Sequence, residues 1–252
     1  MKSNLTNSVF HEKIVIDETN INLVSDIEKN DLNSFITKTR LELKDYILKT
    51  PEFARTLKPY NPNKKVESKV VKLMIEASNI ANVGPTAAIA GTISELSLEY
   101  LIKQGSSYSI VDNGGDIAFI NKNKRVICGI YAGNSPLSGK IAFEFKNQEN
   151  PIGICSSSGS VGYSTSYGRS DCVTIISKKA SISDALATSI ANHVNGKSDE
   201  DAVENGLNAS EEFKDHFIGA LIILGESIGT IGKLPKIVEV NESSILNNID
   251  DG

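Results

Sequence analysis

Asp112-Asn113-Gly114-Gly115-Asp116 joins two apolar runs, Tyr108–Val111 and Ile117–Ile120, and its reading decides how the middle of the chain folds. The Asn-Gly step supplies the positive φ of a primed turn, so the two runs return on one another as a hairpin. Two glycines also leave backbone amides bare beside an Asn and an Asp. Such a corner can hold a phosphate-bearing ligand, and the five residues alone leave both readings open.

Outward from this corner, residues 108 to 155 follow the pattern of strands separated by turns. Tyr108–Val111, Asp116–Ile120, Arg125–Tyr131, Lys140–Lys146 and Ile152–Cys155 are spaced by pieces such as Asn121-Lys122-Asn123-Lys124, which predicts an antiparallel meander. Upstream, Lys13–Asp17 and Asn20–Ser25 predict two short strands. Asn30 and Asp31 then cap a helix whose Leu32, Phe35, Ile36, Leu43, Tyr46 and Ile47 recur at helical spacing until Pro51 stops it. Val66, Val70, Leu73, Ala77 and Ile80 stripe a second helix, which ends before Gly84-Pro85. Pro85 suits the first turn of a third, with Ile89, Ile93, Leu96 and Tyr100 on its buried face. Gly91 inside that helix costs about 1 kcal/mol against alanine, so something packs very close to its first turns, for which plain helix-on-sheet contact would serve.

Downstream, Cys172–Ser177 reads as a strand, Ile182–Val194 as a helix and Asp199–Ala209 as a weaker one, before the closing strands Ile218–Leu224 and Ile237–Val240. This order is α+β, antiparallel sheets with packed helices, in a single domain over residues 1–252. Residues 1–11 and 241–252 read as disordered tails.

Composition narrows the partners. The chain carries 31 Asp+Glu against 26 Lys+Arg, with no basic stripe of the kind that tracks a phosphate backbone, which argues against a nucleic-acid partner. Cys128, Cys155 and Cys172 lack CxxC spacing, arguing against a disulfide framework or zinc site and for a reducing compartment. Residues 1–8 have no apolar core for a signal peptide, and the longest apolar run, Ile218–Leu224, is far short of a bilayer span. The expectation is a cytoplasmic protein that does not engage a membrane.

Two further stretches carry chemistry. The run from Ser156 to Gly168 follows a strand and is rich in small hydroxyls, so Ser157, Ser158 and Gly159 could form an anion nest; a solvated linker has the same composition. Asp184 and Thr188 lie one helical turn apart, opposite the stripe Ile182, Leu186 and Ile190. A carboxylate and a hydroxyl there, beside Ala185, Ala187 and Ala191, can grip Mg²⁺ and leave room for a diphosphate. Alternatively Ser181 caps this helix and Asp184 completes a capping box, an account that does not need Thr188. Cys155, just before the serine run, is either a nucleophile whose pKa is lowered by loop amides or a buried inert thiol. His11, His193 and His216 lie outside all these motifs, so a serine–histidine hydrolase is not supported.

Gly84-Pro85 with Ala88-Ile89-Ala90-Gly91, then Asn113-Gly114-Gly115-Asp116, then Asp184-Ala185-Leu186-Ala187-Thr188 resemble, in this order, the ApbE-like superfamily. Its best-understood members are FAD:protein FMN transferases. Tyr46-Ile47, Pro51-Glu52-Phe53, Val83-Gly84-Pro85 and Cys155-Ser156-Ser157-Ser158-Gly159 extend the resemblance to a prokaryotic and archaeal branch, over about residues 12 to 240. The resemblance implies FAD in a cleft between two lobes, lined by Asn113, Gly114, Gly115 and Asp116. It implies Mg²⁺ held by Asp184, Thr188 and the main-chain oxygen of Ala90. In the transferases a protein Ser or Thr hydroxyl attacks the FMN phosphorus and AMP leaves. They usually carry a lysine after Ala-Ile-Ala and a His-Ile-Ile-Asp-Pro-like segment after the Ser-Gly loop; here Gly91 and Tyr163-Ser164-Thr165-Ser166-Tyr167-Gly168-Arg169 stand there. Bacterial members also carry a lipoprotein-type cysteine, which this chain lacks.

The leading expectation is therefore an FAD- and Mg²⁺-binding protein that transfers FMN to a protein acceptor, with a flavin or adenine nucleotide as ligand and a homodimer as its assembly. A second, by resemblance to a branch linked in methanogens with sulfide assimilation toward homocysteine, is a sulfur-handling protein using Cys155. A third is an interaction protein whose nucleotide site is vacant.

Overall fold

A computed structural model describes residues 9–157 and 168–240. It opens with β1 (Phe10–Ile16) and β2 (Thr19–Ser25), an antiparallel hairpin closed at Asp17, whose φ is 51°. Phe10 and His11, expected in a tail, are thus the first residues of a strand; residues 1–8 and 241–252 lie outside the described residues. In α1 (Leu32–Lys49) the buried side chains Leu32, Ile36, Thr39 and Leu43 keep the helical period. Pro51 both ends α1 and starts α2 (Pro51–Arg55), where a missing amide costs nothing; buried Phe53 then meets Tyr46 and Tyr60 edge-on. α3 (Lys69–Ala81) follows, ending on Asn82 in the left-handed conformation. The helix expected from Pro85 begins as a 3-10 turn, Pro85–Ala88, and becomes α4 only at Ile89–Lys103.

The strands β3 (Tyr108–Asn113), β4 (Asp116–Asn121), β5 (Val126–Gly129), β6 (Ile141–Phe145), β7 (Gln148–Ser157) and β8 (Cys172–Ser177) lead to α5 (Ala180–Ala191) and α6 (Asp199–Glu211). The chain closes with β9 (Gly219–Leu224), β10 (Ser227–Gly232) and β11 (Lys236–Glu239). They do not form one meander. An eight-stranded sheet has the order β1-β2-β3-β4-β7-β8-β9-β10, while β5 and β6 leave it to pair with β11 in a three-stranded sheet. Every pairing is antiparallel.

Both faces of the large sheet are covered, and the period of two sorts its side chains between them. Phe119, Ile152, Ile154, Cys172, Ile176, Leu221 and Ile223 pack against Val126, Cys128, Phe143 and Phe145 of the small sheet. Ala118, Ile120 and Cys155 turn the other way, toward Ile93, Leu98 and Leu101 of α4, as Val173, Ile175, Ala220 and Ile222 turn toward Leu186 and Ile190 of α5. The fold is α+β, with the helices on one side of an antiparallel sheet and a second sheet on the other. β10, rich in glycine and unmarked in the sequence, forms one edge; a Cβ on Gly229 would press on Val203 and Leu207 of α6.

Candidate functional site

The Asp112–Asp116 corner is a two-residue hairpin. Asn113 pairs with Asp116 at the end of the β3–β4 ladder, and Gly114 and Gly115 fill the turn with φ of 69° and 98°. The positive φ therefore falls on the glycine pair rather than on an Asn-Gly step. The Gly115 amide donates to Asp112 Oδ1 at 2.8 Å, and both glycines are exposed. Strand alternation then separates the acids. Asp112 faces the small sheet, where burial pushes its carboxyl up, while Asn113 and Asp116 face the helices.

On that face the motifs converge at the first turn of α4. Asn113 Nδ2 donates to the Ala90 carbonyl at 3.3 Å, and the Gly91 amide donates to Asp184 Oδ2 at 2.8 Å across 93 positions of sequence. A Cβ on Gly91 would sit on the Ala180 carbonyl oxygen and 2.7 Å from Asp184 Cβ, so only glycine lets α5 come this close. Gly153 of β7 does the same from the sheet side, where a Cβ would collide with the Ala180 backbone.

The crossing is capped in both directions. Asp184 of α5 takes an amide of α4, and Glu95 of α4 takes the Ser181 amide at 3.0 Å and the Ser181 hydroxyl at 2.6 Å. Each helix thus lends a carboxylate to the other's N-terminus, where unpaired amides and the dipole favour negative charge. The local capping account fails accordingly: Lys179 holds the cap position of α5, and Asp184 serves the neighbouring helix.

The register Ile117↔Ile154 puts Cys155 beside Asp116, extending a row Asn113–Asp116–Cys155 across three strands on the helix face. Burial raises the Asp184 carboxyl to about 7, opposed by the Gly91 and Ala90 amides. Asp116 is raised well above its ordinary value, first by burial and then by the Asp184 charge. Its Oδ1 is buried without a hydrogen-bond partner, and among the described residues neither acid has an ion-pair partner. Thr188, 9% exposed, lies one turn beyond Asp184. Two carboxylates without an ion-pair partner among the described residues, a main-chain oxygen and a hydroxyl make a hard-oxygen set, which fits Mg²⁺. Among the described residues no trio of His, Cys, Asp or Glu gathers as a metal cluster, so a cation here rests on that mixed set. Ala90, Asp116 and Asp184 each keep some exposure, so solvent reaches the spot.

Cys155 requires a correction. It lies inside β7, not at its end, and is 0% exposed, with Sγ donating to the Ala180 carbonyl at 3.3 Å. Its pKa is pushed well up, by burial and then by the Asp116 and Asp184 charges. The lowered pKa expected from loop amides is absent because the thiol is buried and, beyond that, faces acids to which a thiolate would add a third negative charge, so of the two readings of Cys155 the position fits the buried thiol. Ser157 is the half-buried last residue of β7, paired with Val173; Ser158 and Gly159 lie outside the described residues. All three cysteines are free and buried.

The chain matches the family described as AbpE bacteria over residues 7–226. It belongs to that family. A UPF0280 protein of Methanobrevibacter smithii is 48% identical over 234 residues, covering 93% of this chain and 98% of that one. One from Methanothermobacter thermautotrophicus is 45% identical over 240 residues, covering 95% and 92%. Among solved structures, the flavin transferase ApbE of Vibrio cholerae superposes with a TM-score of 0.57 at 15% identity, covering 94% of this chain and 99% of that one. The ApbE protein of Thermotoga maritima gives 0.54 at 12% identity, covering 95% and 99%. At such identity the likeness is one of fold, and the fold is ApbE-like, that of a flavin transferase.

Within the ApbE-like frame, the missing lysine after Ala-Ile-Ala has a physical reason: position 91 faces the Ala180 carbonyl and holds no side chain. Glu95 is the residue the sequence reading missed. Its signal was an acid one turn after Gly91, between the apolar Ile93 and Leu96, and it ends buried at 9% exposure. Among the described residues no helix is long and apolar enough to cross a membrane.

Proposed function

We propose that this chain binds FAD with Mg²⁺ and transfers FMN to a Ser or Thr hydroxyl of a protein. The observation that supports it most is the meeting of three distant motifs at one point: the Asp184 carboxylate, the Ala90–Gly91 turn of α4 and the Asn113–Asp116 hairpin. Asp184, Thr188 and the Ala90 carbonyl are the residues that would hold the cation. The Ala90 carbonyl already accepts from Asn113 and, by the helical ladder of α4, from the Ser94 amide, so the two side chains would carry most of the binding. Bound there, Mg²⁺ would neutralise a diphosphate and the charge that develops on its oxygens.

The chain's own residues mainly bind and orient. Gly114 and Gly115 present exposed backbone without side chains, which lets a phosphate approach closely. Asn113 fixes the hairpin to α4, and the Gly91 and Ala90 amides hold the Asp184 carboxylate in one orientation. In the reaction the acceptor oxygen forms a bond to the FMN phosphorus, the bond to the bridging oxygen breaks, AMP leaves with that oxygen, and the hydroxyl proton is released. Such a transfer depends on positioning and charge neutralisation more than on covalent help.

The test is incubation of the purified chain with FAD, Mg²⁺ and candidate acceptor proteins, with AMP measured by chromatography and acceptors by mass spectrometry. AMP released in step with covalent flavin supports transfer. FAD retained intact without AMP reduces the protein to a binding module, and no thermal shift with FAD, ADP or AMP removes the nucleotide altogether.

A further inference from the structure

We infer that Asp116 is itself a ligand of the cation: its Oδ1 joins Asp184, so that carboxylates from β4 and α5 hold one divalent ion between the hairpin and the first turn of α4. The sequence set Asn113 and Asp116 together along a nucleotide, but the structure gives them different work. Both ends of the Asn113 amide are engaged, Oδ1 by the Asn20 amide at 3.2 Å and Nδ2 by the Ala90 carbonyl at 3.3 Å. Asn113 is a positioning residue. Asp116 Oδ1, by contrast, is buried and has no hydrogen-bond partner among the described residues.

Buried carboxylate oxygens are ordinarily satisfied, because an unpaired one forfeits its hydration. Among the described residues no cation pairs with Asp116 to repair this. Its carboxyl meets the Cys155 thiol and, close by, the like-charged Asp184. The backbone that carries it is tied in place, since Ser94 Oγ donates to the Asp116 main-chain carbonyl at 2.7 Å and binds this end of β4 to α4. A divalent ion supplies what is missing: positive charge between two acids and a partner for a bare oxygen. Two carboxylates also match the charge of such an ion without help from a ligand. The site therefore takes the cation before any nucleotide arrives, whereas one carboxylate, a hydroxyl and a carbonyl would depend on the diphosphate to complete the charge.

This rests on the reading of Asp184 as a cation ligand, and the experiment separates the two. Mn²⁺ is titrated into nucleotide-free protein, with loss of the free-ion electron paramagnetic resonance signal as the readout, for wild type, Asp116→Asn, Asp116→Glu and Asp184→Asn. The expected result is one Mn²⁺ per chain, displaced by Mg²⁺. Affinity falls by on the order of tenfold or more in Asp116→Asn and in Asp184→Asn, with partial recovery in Asp116→Glu, which keeps the charge. Wild-type affinity in Asp116→Asn, with loss in Asp184→Asn, overturns the inference and leaves the Asp184 reading standing. Unchanged binding in both variants, or none in wild type, overturns both for the nucleotide-free site. Should Asp116→Asn not fold, Asp116→Glu against wild type decides: unaltered Mn²⁺ affinity and an unaltered bound-ion spectrum overturn the inference, because lengthening a true ligand shifts the ion.

Discussion

Glu95 and Asp184 are the same device built twice, a carboxylate laid across the N-terminus of the other helix, yet the two ends of the α4–α5 crossing differ in what surrounds them. Glu95 takes two donors from one serine, and Lys179 lends it positive charge. Asp184 takes backbone amides and faces a second acid, Asp116, with a bare oxygen. One end is closed and the other is unfinished. A buried carboxylate is thus evidence of a site only when acceptor capacity is left over after the fold has used what it needs.

The largest effect expected is at the crossing both ends share. Gly91→Val would force α4 and α5 apart and cost about 3 kcal/mol, from overpacking together with loss of both caps, as read by chemical denaturation. An unchanged midpoint would mean that the helices are not held at this distance. Glu95→Ala tests the closed end alone. It leaves the Ser181 amide and hydroxyl without their acceptor and should cost about 2 kcal/mol, with Mg²⁺ affinity within twofold of wild type.

Asp184→Asn tests the open end and should do the reverse, abolishing the Mg²⁺-dependent thermal shift at modest structural cost. Its pH dependence has a definite sign. The folded-state pKa of Asp184 lies at about 7, above the ordinary carboxylate range, so its stabilising effect is fully present at low pH and is lost as pH rises through about 7. Metal-free Asp184→Asn should therefore gain on wild type in melting temperature between pH 5 and pH 8. The Mg²⁺-induced rise in wild type should be larger at pH 8 than at pH 5.5, because the ion displaces a proton. A pH-independent difference would contradict the raised carboxyl. Cys155→Ser is expected to matter least, changing stability within about 1 kcal/mol and leaving transfer to an acceptor intact, since a serine hydroxyl can also donate to the Ala180 carbonyl. Loss of activity there would restore a chemical role for the thiol.

What the sequence revealed and what it hid follow from the range of the signals. The Gly114-Gly115 hairpin and the Asp184–Thr188 turn were legible because each is a local pattern, set by φ or by helical spacing. Gly91 announced a close neighbour without naming it, since Ala180 lies 89 positions further along the chain. The departure of β5 and β6 from the meander was invisible, because a period of two says which side chains share a face and nothing about which strand lies alongside. β10 was hidden by glycines that read as turn residues, and Glu95 by being one acid among many. Cys155 was misplaced by two residues of strand. That shift decides whether a thiol meets loop amides or carboxylates.

Ala180 is where this geometry is calibrated. Two glycines from different elements press on the main chain of this one residue, from either side of its Cα, and the Cys155 thiol bonds to its carbonyl, so the spacing of β7, α4 and α5 is fixed by the thickness of a main chain with no adjustable side chain between. A methyl group added at position 153 would shift α5 through the Ala180 backbone alone, whereas one at position 91 would press on that backbone and on Asp184 Cβ together, so the two variants part spacing from direct contact.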